Sequence, residues 1–195
     1  MIKTLIFDFD GVIGDTFDLS FKICRTIFKG LSEQDFRDYH NGNVFRSNII
    51  RWEPHKLKLF YSNQKQGFTK KNLFPLKDVL RKLQDKYQLL VISSTTDENV
   101  KDFLNLGGFD QFFLEIFGAT THKSKVEKFK MIFKKYKLKP HECLFITDTI
   151  GDIKEARKVN IKSIAVTWGY HSKELLSKQN PLAIIEKPNE LLKRL

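Results

Sequence analysis

The sequence predicts an α/β fold, in which a parallel sheet carries helices on both faces and a small helical segment is inserted near the N-terminus. Short apolar runs alternate with helical patterns along most of the chain, which is typical of strand–helix–strand crossovers in a parallel sheet. Polar residues directly follow three of these runs, as is common where ligands bind at the carboxyl ends of parallel strands. Residues 16–74 show no strand-like alternation, so we expect this segment to be all-helical.

Length and composition are those of an ordinary globular protein. The chain has 195 residues, enough for one domain with a small insert, and 41% of them are hydrophobic. No apolar run approaches the roughly 18 to 20 residues of a membrane span, and Asp8 and Asp10 interrupt the first apolar run, which argues against a signal peptide. The two cysteines, Cys24 and Cys143, are expected to stay unpaired in a reducing compartment, so we expect a cytoplasmic protein.

The elements can be justified in chain order from apolar periodicity and from turn residues. The first strand is expected at Leu5–Phe7, because a short apolar run followed by a glycine fits a buried strand better than a helix. In the insert we expect helices over 19–28 and 32–40, a turn at 41–43, a helix over 44–61 broken near Pro54, and a polar linker over 65–74. The other strands are expected at 88–92, 112–117, 143–146, 161–166 and 183–185. The other helices are expected at 76–87, 97–106, 124–138, 172–177 and 188–195, with one more that follows Asp152 and ends at Val159.

Two aspartates lie at the end of the first strand. Residues i and i+2 of an extended segment point the same way, so Asp8 and Asp10 should be neighbours, and Gly11 lets the chain turn away. Carboxylates side by side repel each other and are costly to bury. Such a pair therefore indicates a cation or a proton between the two groups.

The strand-end acids have the chemistry of a magnesium site. Asp148 and Asp152 follow another apolar run, and Mg²⁺ takes oxygen ligands, completing its shell with water and phosphate oxygens. An aspartate beside a dication can attack phosphorus, and a carboxylate two residues away can protonate the leaving oxygen. The five histidines are scattered and lack the spacing of a zinc site.

Four stretches resemble, in order, the four motifs of the haloacid dehalogenase superfamily: IFDFDGVIGDT, VISSTTDENV, the lysines of THKSKVEKF, and FITDTIGDIKEA. The tail AVTWGYHSKELL is similar to the phosphoglycolate-phosphatase-like branch. The resemblance implies a Rossmann-like core domain, residues 1–15 and 75–195, and a helical cap, residues 16–74. It also implies Mg²⁺ as the cofactor.

The resemblance implies a role for each matching residue. Asp8 resembles the nucleophile and Asp10 the general acid and base. Asp8, Asp10 (through its backbone carbonyl), Asp148 and Asp152 resemble the metal-binding acids. Ser93, with Ser94 and Gly11, resembles the phosphate-binding group. The catalytic lysine is either Lys123 or Lys125, and the distance to Asp148 slightly favours Lys123.

The predicted function is a Mg²⁺-dependent phosphatase acting on a small phosphorylated metabolite, phosphoglycolate-like or a sugar phosphate, through an aspartyl-phosphate intermediate. Two alternatives stay open: a phosphomutase of the same superfamily, and a basic non-catalytic module that binds nucleic acid. The net charge of +11 alone favours nucleic acid, and lysines around an apolar helical stripe are better explained as a solvated face. We expect no membrane partner, and a monomer or homodimer. Candidates for substrate contact are His40, Arg46, Arg51 and Trp52, while Trp168 and Tyr170 line the crevice or pack.

Overall fold

A computed structural model describes residues 1–195 and confirms the predicted fold class. Six strands form one parallel sheet in the order β3-β2-β1-β4-β5-β6. Parallel pairing follows from the helical crossovers between successive strands, which cover both faces of the sheet. The strands are β1 (Thr4–Asp8), β2 (Gln88–Ile92), β3 (Glu115–Phe117), β4 (Cys143–Thr147), β5 (Lys162–Val166) and β6 (Ala183–Ile185).

The helices fall into two groups. Three of them form the insert, and the other six belong to the crossovers and the C-terminal segment. The insert contains α1 (Phe17–Ile27), α2 (Glu33–Tyr39) and α3 (Pro54–Gly67). The others are α4 (Lys77–Gln84), α5 (Asp97–Gly107), α6 (Lys125–Tyr136), α7 (Ile150–Arg157), α8 (Lys173–Ser177) and α9 (Leu191–Arg194).

The central position of β1 sets the location of the site. Its residues are completely or almost completely buried, and successive side chains enter opposite layers: Phe7 lies in the larger hydrophobic core and Ile6 in the smaller one. In the register, Asp8 is opposite Ile92 of β2, and Phe7 is opposite Ile146 of β4. The chain segments that follow these three strands therefore meet at one edge of the sheet.

The insert leaves and re-enters the core through two paired segments. Gly14 pairs with Leu73 in an antiparallel bridge, and the amide of Asp15 donates to the carbonyl of Asn72 at 2.7 Å. Helices α1 to α3 lie between these segments and share a mainly aromatic cluster, which includes Phe36, Tyr39 and also Tyr170 from outside the insert. The division into a core domain and a cap of residues 16–74 stays a prediction.

Some predicted bounds inside the insert are wrong. Residues 44–61 are not one broken helix: only Val44–Arg46 make a 3₁₀ turn, and α3 begins at Pro54. Proline is favoured at the first helical position, where its missing N–H and fixed φ cost nothing. The helix then continues to Gly67, into the stretch expected to be a linker. Cys24 and Cys143 are buried free thiols, and none of the helices has the length and apolarity that crossing a membrane requires.

Candidate active site

A lysine bridges two carboxylates at the end of β1. Nζ of Lys125 lies 2.8 Å from Oδ2 of Asp8 and 2.5 Å from Oδ2 of Asp152. Both acids and the lysine are buried, and the hydroxyl of Thr147 also donates to Asp152, at 2.8 Å. Asp152 is positioned in the first turn of α7, whose N-cap is Thr149.

The three charged groups shift one another's pKa values in opposite directions. Burial raises the pKa of Asp8 well above its usual range, and Lys125 only partly opposes this. Burial acts on Asp152 as well, but the Lys125 ammonium and the hydrogen bonds to its carboxylate hold its pKa below the usual value. Burial disfavours the charge on Lys125, yet Asp152 and Asp8 together raise its pKa. Lys125 and Asp152 thus form an ion pair, and Asp8 lies beside it as the weaker acid.

Asp10 is held by hydrogen bonds from both sides of the site. Its Oδ1 accepts from the hydroxyl of Thr16 at 2.9 Å and from the Gln64 amide at 3.4 Å. Its Oδ2 accepts from the hydroxyls of Ser93 at 3.1 Å and Thr95 at 3.0 Å. Burial raises the pKa of Asp10, while the three hydroxyl groups lower it. The carboxyl group therefore has a defined orientation two residues beyond Asp8.

Asp148 occupies a tight pocket beyond β4. Its Oδ2 accepts a hydrogen bond from the amide of Tyr170 at 2.7 Å, while its Oδ1 is buried without any partner. Burial raises the pKa of Asp148 to about 8. Gly11 (φ +75°) and Gly169 lie so close that a Cβ atom on either would overlap with Oδ2. The pocket thus needs glycine on both sides, and at Gly11 the backbone conformation requires it as well.

The residues described above lie at one edge of the sheet, and they come from the four stretches singled out in the sequence. They are Asp8 and Asp10, the turn 93–95, Lys125, and Asp148 and Asp152. The family model described as "Haloacid dehalogenase-like hydrolase" matches residues 5–166. The chain belongs to this family. The predicted superfamily and its assignment as a hydrolase are therefore confirmed.

Relatives of this haloacid dehalogenase-like hydrolase match along nearly its whole length. The phosphoglycolate phosphatase of Synechococcus elongatus is 24% identical over 203 residues, covering 98% of this chain and 96% of the relative. The pyrophosphatase PpaX of Oceanobacillus iheyensis is 25% identical over 213 residues, covering 98% and 95%. The structure of a haloacid dehalogenase-like family hydrolase from Streptococcus pneumoniae superposes with a TM-score of 0.82 at 22% identity, covering 98% and 97%, and shows that the fold is shared.

The geometry reverses the slight preference for Lys123. Lys123 is exposed, and its ammonium lies 5.6 Å from the centre of the Phe45 ring, whereas Lys125 contacts Asp8 directly. Ser124 caps α6 by accepting a hydrogen bond from the amide of Glu127, so Lys125 is the first residue of the helix. The Ser-x-x-Glu pattern is a sequence signal of a helix start, and it would have placed Lys123 outside the helix.

Two of the proposed phosphate-binding residues have other contacts. The amide of Gly11 donates to the carbonyl of Gly14 at 2.7 Å, so this N–H is not free for a phosphate; Gly11 instead makes room for Asp148. Ser93 is fully buried, and its hydroxyl donates to Asp10 and accepts from the amide of Thr95. Of the two predicted serines, only Ser94 lines the cavity above the acids, and Thr95 lines it as well.

Sequence reasoning missed three side chains that hold Asp10: Thr16, Gln64 and Thr95. Thr16 and Thr95 lie within the first two motifs, so the motifs themselves were a usable signal. Gln64 lies on α3 of the insert and is buried, and no pattern in the sequence pointed to it. Of the residues considered for substrate contact, His40, Trp52 and Tyr170 line the cavity, whereas Arg46, Arg51 and Trp168 do not.

The donor set at the sheet edge fits a magnesium ion. The four acidic side chains are not arranged as a preformed cage of three or more ligands, but Mg²⁺ commonly takes only one or two carboxylates from a protein. The buried Oδ1 of Asp148 has no partner, and an uncompensated buried carboxylate oxygen is costly. A hard cation beside Asp148 and Asp8 would supply the missing partner.

Proposed function

We propose that this protein is a Mg²⁺-dependent phosphatase that hydrolyses a small phosphorylated metabolite through an aspartyl-phosphate on Asp8. The observation that carries the proposal is the placement of Asp8 in the cavity wall, with the Lys125 ammonium 2.8 Å away and the carboxyl group of Asp10 two residues further along. A nucleophile, a cation and an acid therefore face the same small space. This is what phosphoryl transfer requires, because its catalysis is mainly positioning and charge neutralisation.

Asp8, Asp148 and the backbone carbonyl of Asp10 are the groups that would hold Mg²⁺. When bound, the ion lowers the pKa of the nucleophile and neutralises charge on the phosphoryl oxygens. Asp152 acts mainly through Lys125, because its Oδ2 accepts from that lysine and from Thr147. Lys125 and the hydroxyl group of Ser94 would neutralise and orient the other phosphoryl oxygens.

The reaction takes two steps at the same phosphorus atom. A carboxylate oxygen of Asp8 forms a bond to phosphorus while the bond to the leaving oxygen breaks, and Asp10 gives its proton to that oxygen. Asp10, now ionised, takes a proton from water as the water oxygen attacks phosphorus and displaces Asp8. The products are the alcohol and inorganic phosphate, and both aspartates return to their starting states.

The phosphoryl group and the leaving group of the substrate contact different parts of the site. The names of the two relatives point to phosphoglycolate and pyrophosphate, and the sequence adds sugar phosphates. All three carry a phosphoryl group that the same charged residues would bind. They differ in the leaving group, which faces the insert.

The test is phosphate release from acetyl phosphate and from an aryl phosphate, with Mg²⁺ and with EDTA. We expect metal-dependent release by the wild type, and a loss of at least about 10³-fold in Asp8→Asn, which keeps the shape of the side chain but not the nucleophile. Mass spectrometry of the wild type quenched during turnover should find the phosphoryl group on the peptide containing Asp8. The control is Asp15→Asn, which changes an exposed acid of the same loop and should keep normal turnover. Normal turnover by Asp8→Asn would contradict the assignment of Asp8 as the nucleophile.

A further inference from the structure

A cavity of about 70 Å³ lies between the insert and the acids at the sheet edge. On the core side it is lined by Asp8, Asp10, Lys125 and Asp152. On the insert side the lining is mostly apolar and includes Phe45, Trp52, Leu57 and Phe60. These four side chains are only half-buried, so they are not simply the interior of the insert.

The insert contributes no cation to this cavity. Lys125 is the one lysine or arginine in the lining, and it is already paired with Asp8 and Asp152. His40 also lines the cavity, but burial lowers its pKa to about 3, so its ring is uncharged at neutral pH. Arg37 stays outside the lining, because its guanidinium is bound to Glu33 and to the carbonyl of Tyr170.

The polar groups of the insert side already have protein partners. The Tyr61 hydroxyl donates to the carbonyl of Ser94 at 2.9 Å, and the Tyr39 hydroxyl accepts from Trp52 Nε1 at 2.7 Å. The Gln64 amide contacts Asp10 and Thr95. Because each of these groups already uses part of its hydrogen-bonding capacity on protein atoms, a leaving group with several hydroxyl groups would gain few partners, and each unsatisfied hydroxyl would be costly to bury.

We infer that the leaving group of the physiological substrate is a compact, uncharged and apolar alcohol, so that the substrate is an alkyl or aryl phosphate monoester. This inference rests on the proposed phosphatase function. The carboxylate of phosphoglycolate, or the second phosphate of pyrophosphate, would lie against Phe45, Trp52 and Leu57 with no cation on the insert side of the cavity, which is unfavourable. Lys123 is exposed and lies outside the lining, with its ammonium 5.6 Å from the centre of the Phe45 ring. An apolar group gains free energy in the same place by leaving water.

The experiment compares two esters of equal size that differ in charge. Isobutyl phosphate and phosphoglycolate have the same number of heavy atoms around the same leaving oxygen, and only the second carries a carboxylate. We expect wild-type kcat/KM to be on the order of 100-fold higher for isobutyl phosphate, and glycerol 1-phosphate to be poor as well. Binding of both esters to Asp8→Asn, measured by calorimetry, should show the same order without turnover.

A matched pair of variants adds a positive charge either inside or outside the cavity. Leu57→Arg places a cation in the cavity lining, whereas Leu59→Arg places one on the same helix at an exposed position outside it. Leu57→Arg should narrow the preference for isobutyl phosphate at least about tenfold by improving phosphoglycolate and weakening isobutyl phosphate. Leu59→Arg should keep the wild-type ratio of kcat/KM for isobutyl phosphate to kcat/KM for phosphoglycolate.

The outcomes separate the inference from the proposed function. If wild-type enzyme uses phosphoglycolate, pyrophosphate or glycerol 1-phosphate as well as isobutyl phosphate, the inference is overturned and the phosphatase remains. If no ester and no acetyl phosphate is hydrolysed by folded protein with Mg²⁺, the phosphatase itself is overturned, and the inference with it. Should Leu57→Arg fail to fold, the inference is still tested by the wild-type kcat/KM ratio of the two esters and by their binding to Asp8→Asn.

Discussion

The core side and the insert side of the cavity are built from different kinds of residues. On the core side every functional side chain has a charged or hydrogen-bonded partner: Lys125 with Asp8 and Asp152, and Asp10 with three hydroxyl groups. On the insert side most of the lining side chains are aromatic or aliphatic, and Gln64 is the polar residue of α3 that reaches Asp10. The difference supports the proposals that the core sets the reaction type and that the insert selects the leaving group.

The largest expected effect comes from breaking the charged side at Lys125. Lys125→Ala removes the cation that Asp8 and Asp152 share, so kcat/KM for acetyl phosphate should fall on the order of 100-fold or more. Lys123→Ala, two residues earlier and exposed, should stay within about twofold of wild type. Thermal unfolding of both variants checks that the fold persists. Equal and mild losses would mean that neither lysine contacts the phosphoryl group.

An intermediate effect is expected at Gly11, where the core side is most crowded. A Cβ in Gly11→Ala would overlap with Asp148 and Tyr170 at a positive φ. Magnesium affinity, measured by titration calorimetry, should therefore fall about tenfold, and the free energy of unfolding should drop by about 2 to 4 kcal/mol.

The insert offers the control for this prediction. Gly30 also has a positive φ, +82°, but has open space around it. Gly30→Ala should therefore cost only the backbone strain of about 1 kcal/mol and leave magnesium binding unchanged. If both variants bind magnesium like the wild type, the crowding around Asp148 has no role in the metal site.

The smallest effect is expected at Lys128, which lies beneath the turn that begins at Ser93. Lys128 is fully buried and donates to the carbonyl of Ser93 at 2.5 Å. Burial, together with the nearby Lys125 ammonium, lowers its pKa to about 7 against the opposing effect of Asp8, Asp97 and Glu155. Between pH 7 and the ordinary lysine pKa of 10.5, the unfolded chain therefore binds a proton that the folded protein lacks, and the contribution of Lys128 to stability rises with pH.

Lys128→Met removes this titration. From pH 7 to pH 9 the free energy of unfolding of the wild type should rise relative to that of the variant, by about 1 to 2 kcal/mol. Chemical unfolding at several pH values measures the difference, in which the titrations of the cysteines and tyrosines cancel. Lys130→Met, an exposed lysine of the same helix, should show no such trend, and parallel curves for wild type and Lys128→Met would contradict the prediction.

The same contrast explains what could be predicted from the sequence. Asp8 ends β1, and Asp10, Asp148 and Asp152 come within five residues after a strand, so strand periodicity and the parallel order were enough to bring them together. Lys125 was harder, because it depends on where a helix begins. A helical stripe formed by residues 125, 128, 129 and 132, all buried on α6, would have indicated the right lysine.

The insert side could not be predicted from the sequence to the same depth. Whether Trp52 or Arg51 faces the acids depends on the irregular segment before Pro54, where no periodicity applies. Gln64 reaches Asp10 only because α3 packs against the core. One contact that holds α3 there is the hydrogen bond from the Asn99 side-chain amide to the carbonyl of Tyr61, at 2.9 Å. Tertiary contacts of this kind leave no local pattern.

The central position of β1 also has a consequence for folding kinetics. Its partners lie far along the chain: Thr4 pairs with Gln88, 84 residues away, and with Cys143 beyond that. Such pairings carry a high entropic cost of loop closure and form slowly. During synthesis Asp8 therefore has no lysine partner until Lys125 has been made, and no nascent fragment that ends before Asp152 can form the cluster of Asp8, Lys125 and Asp152.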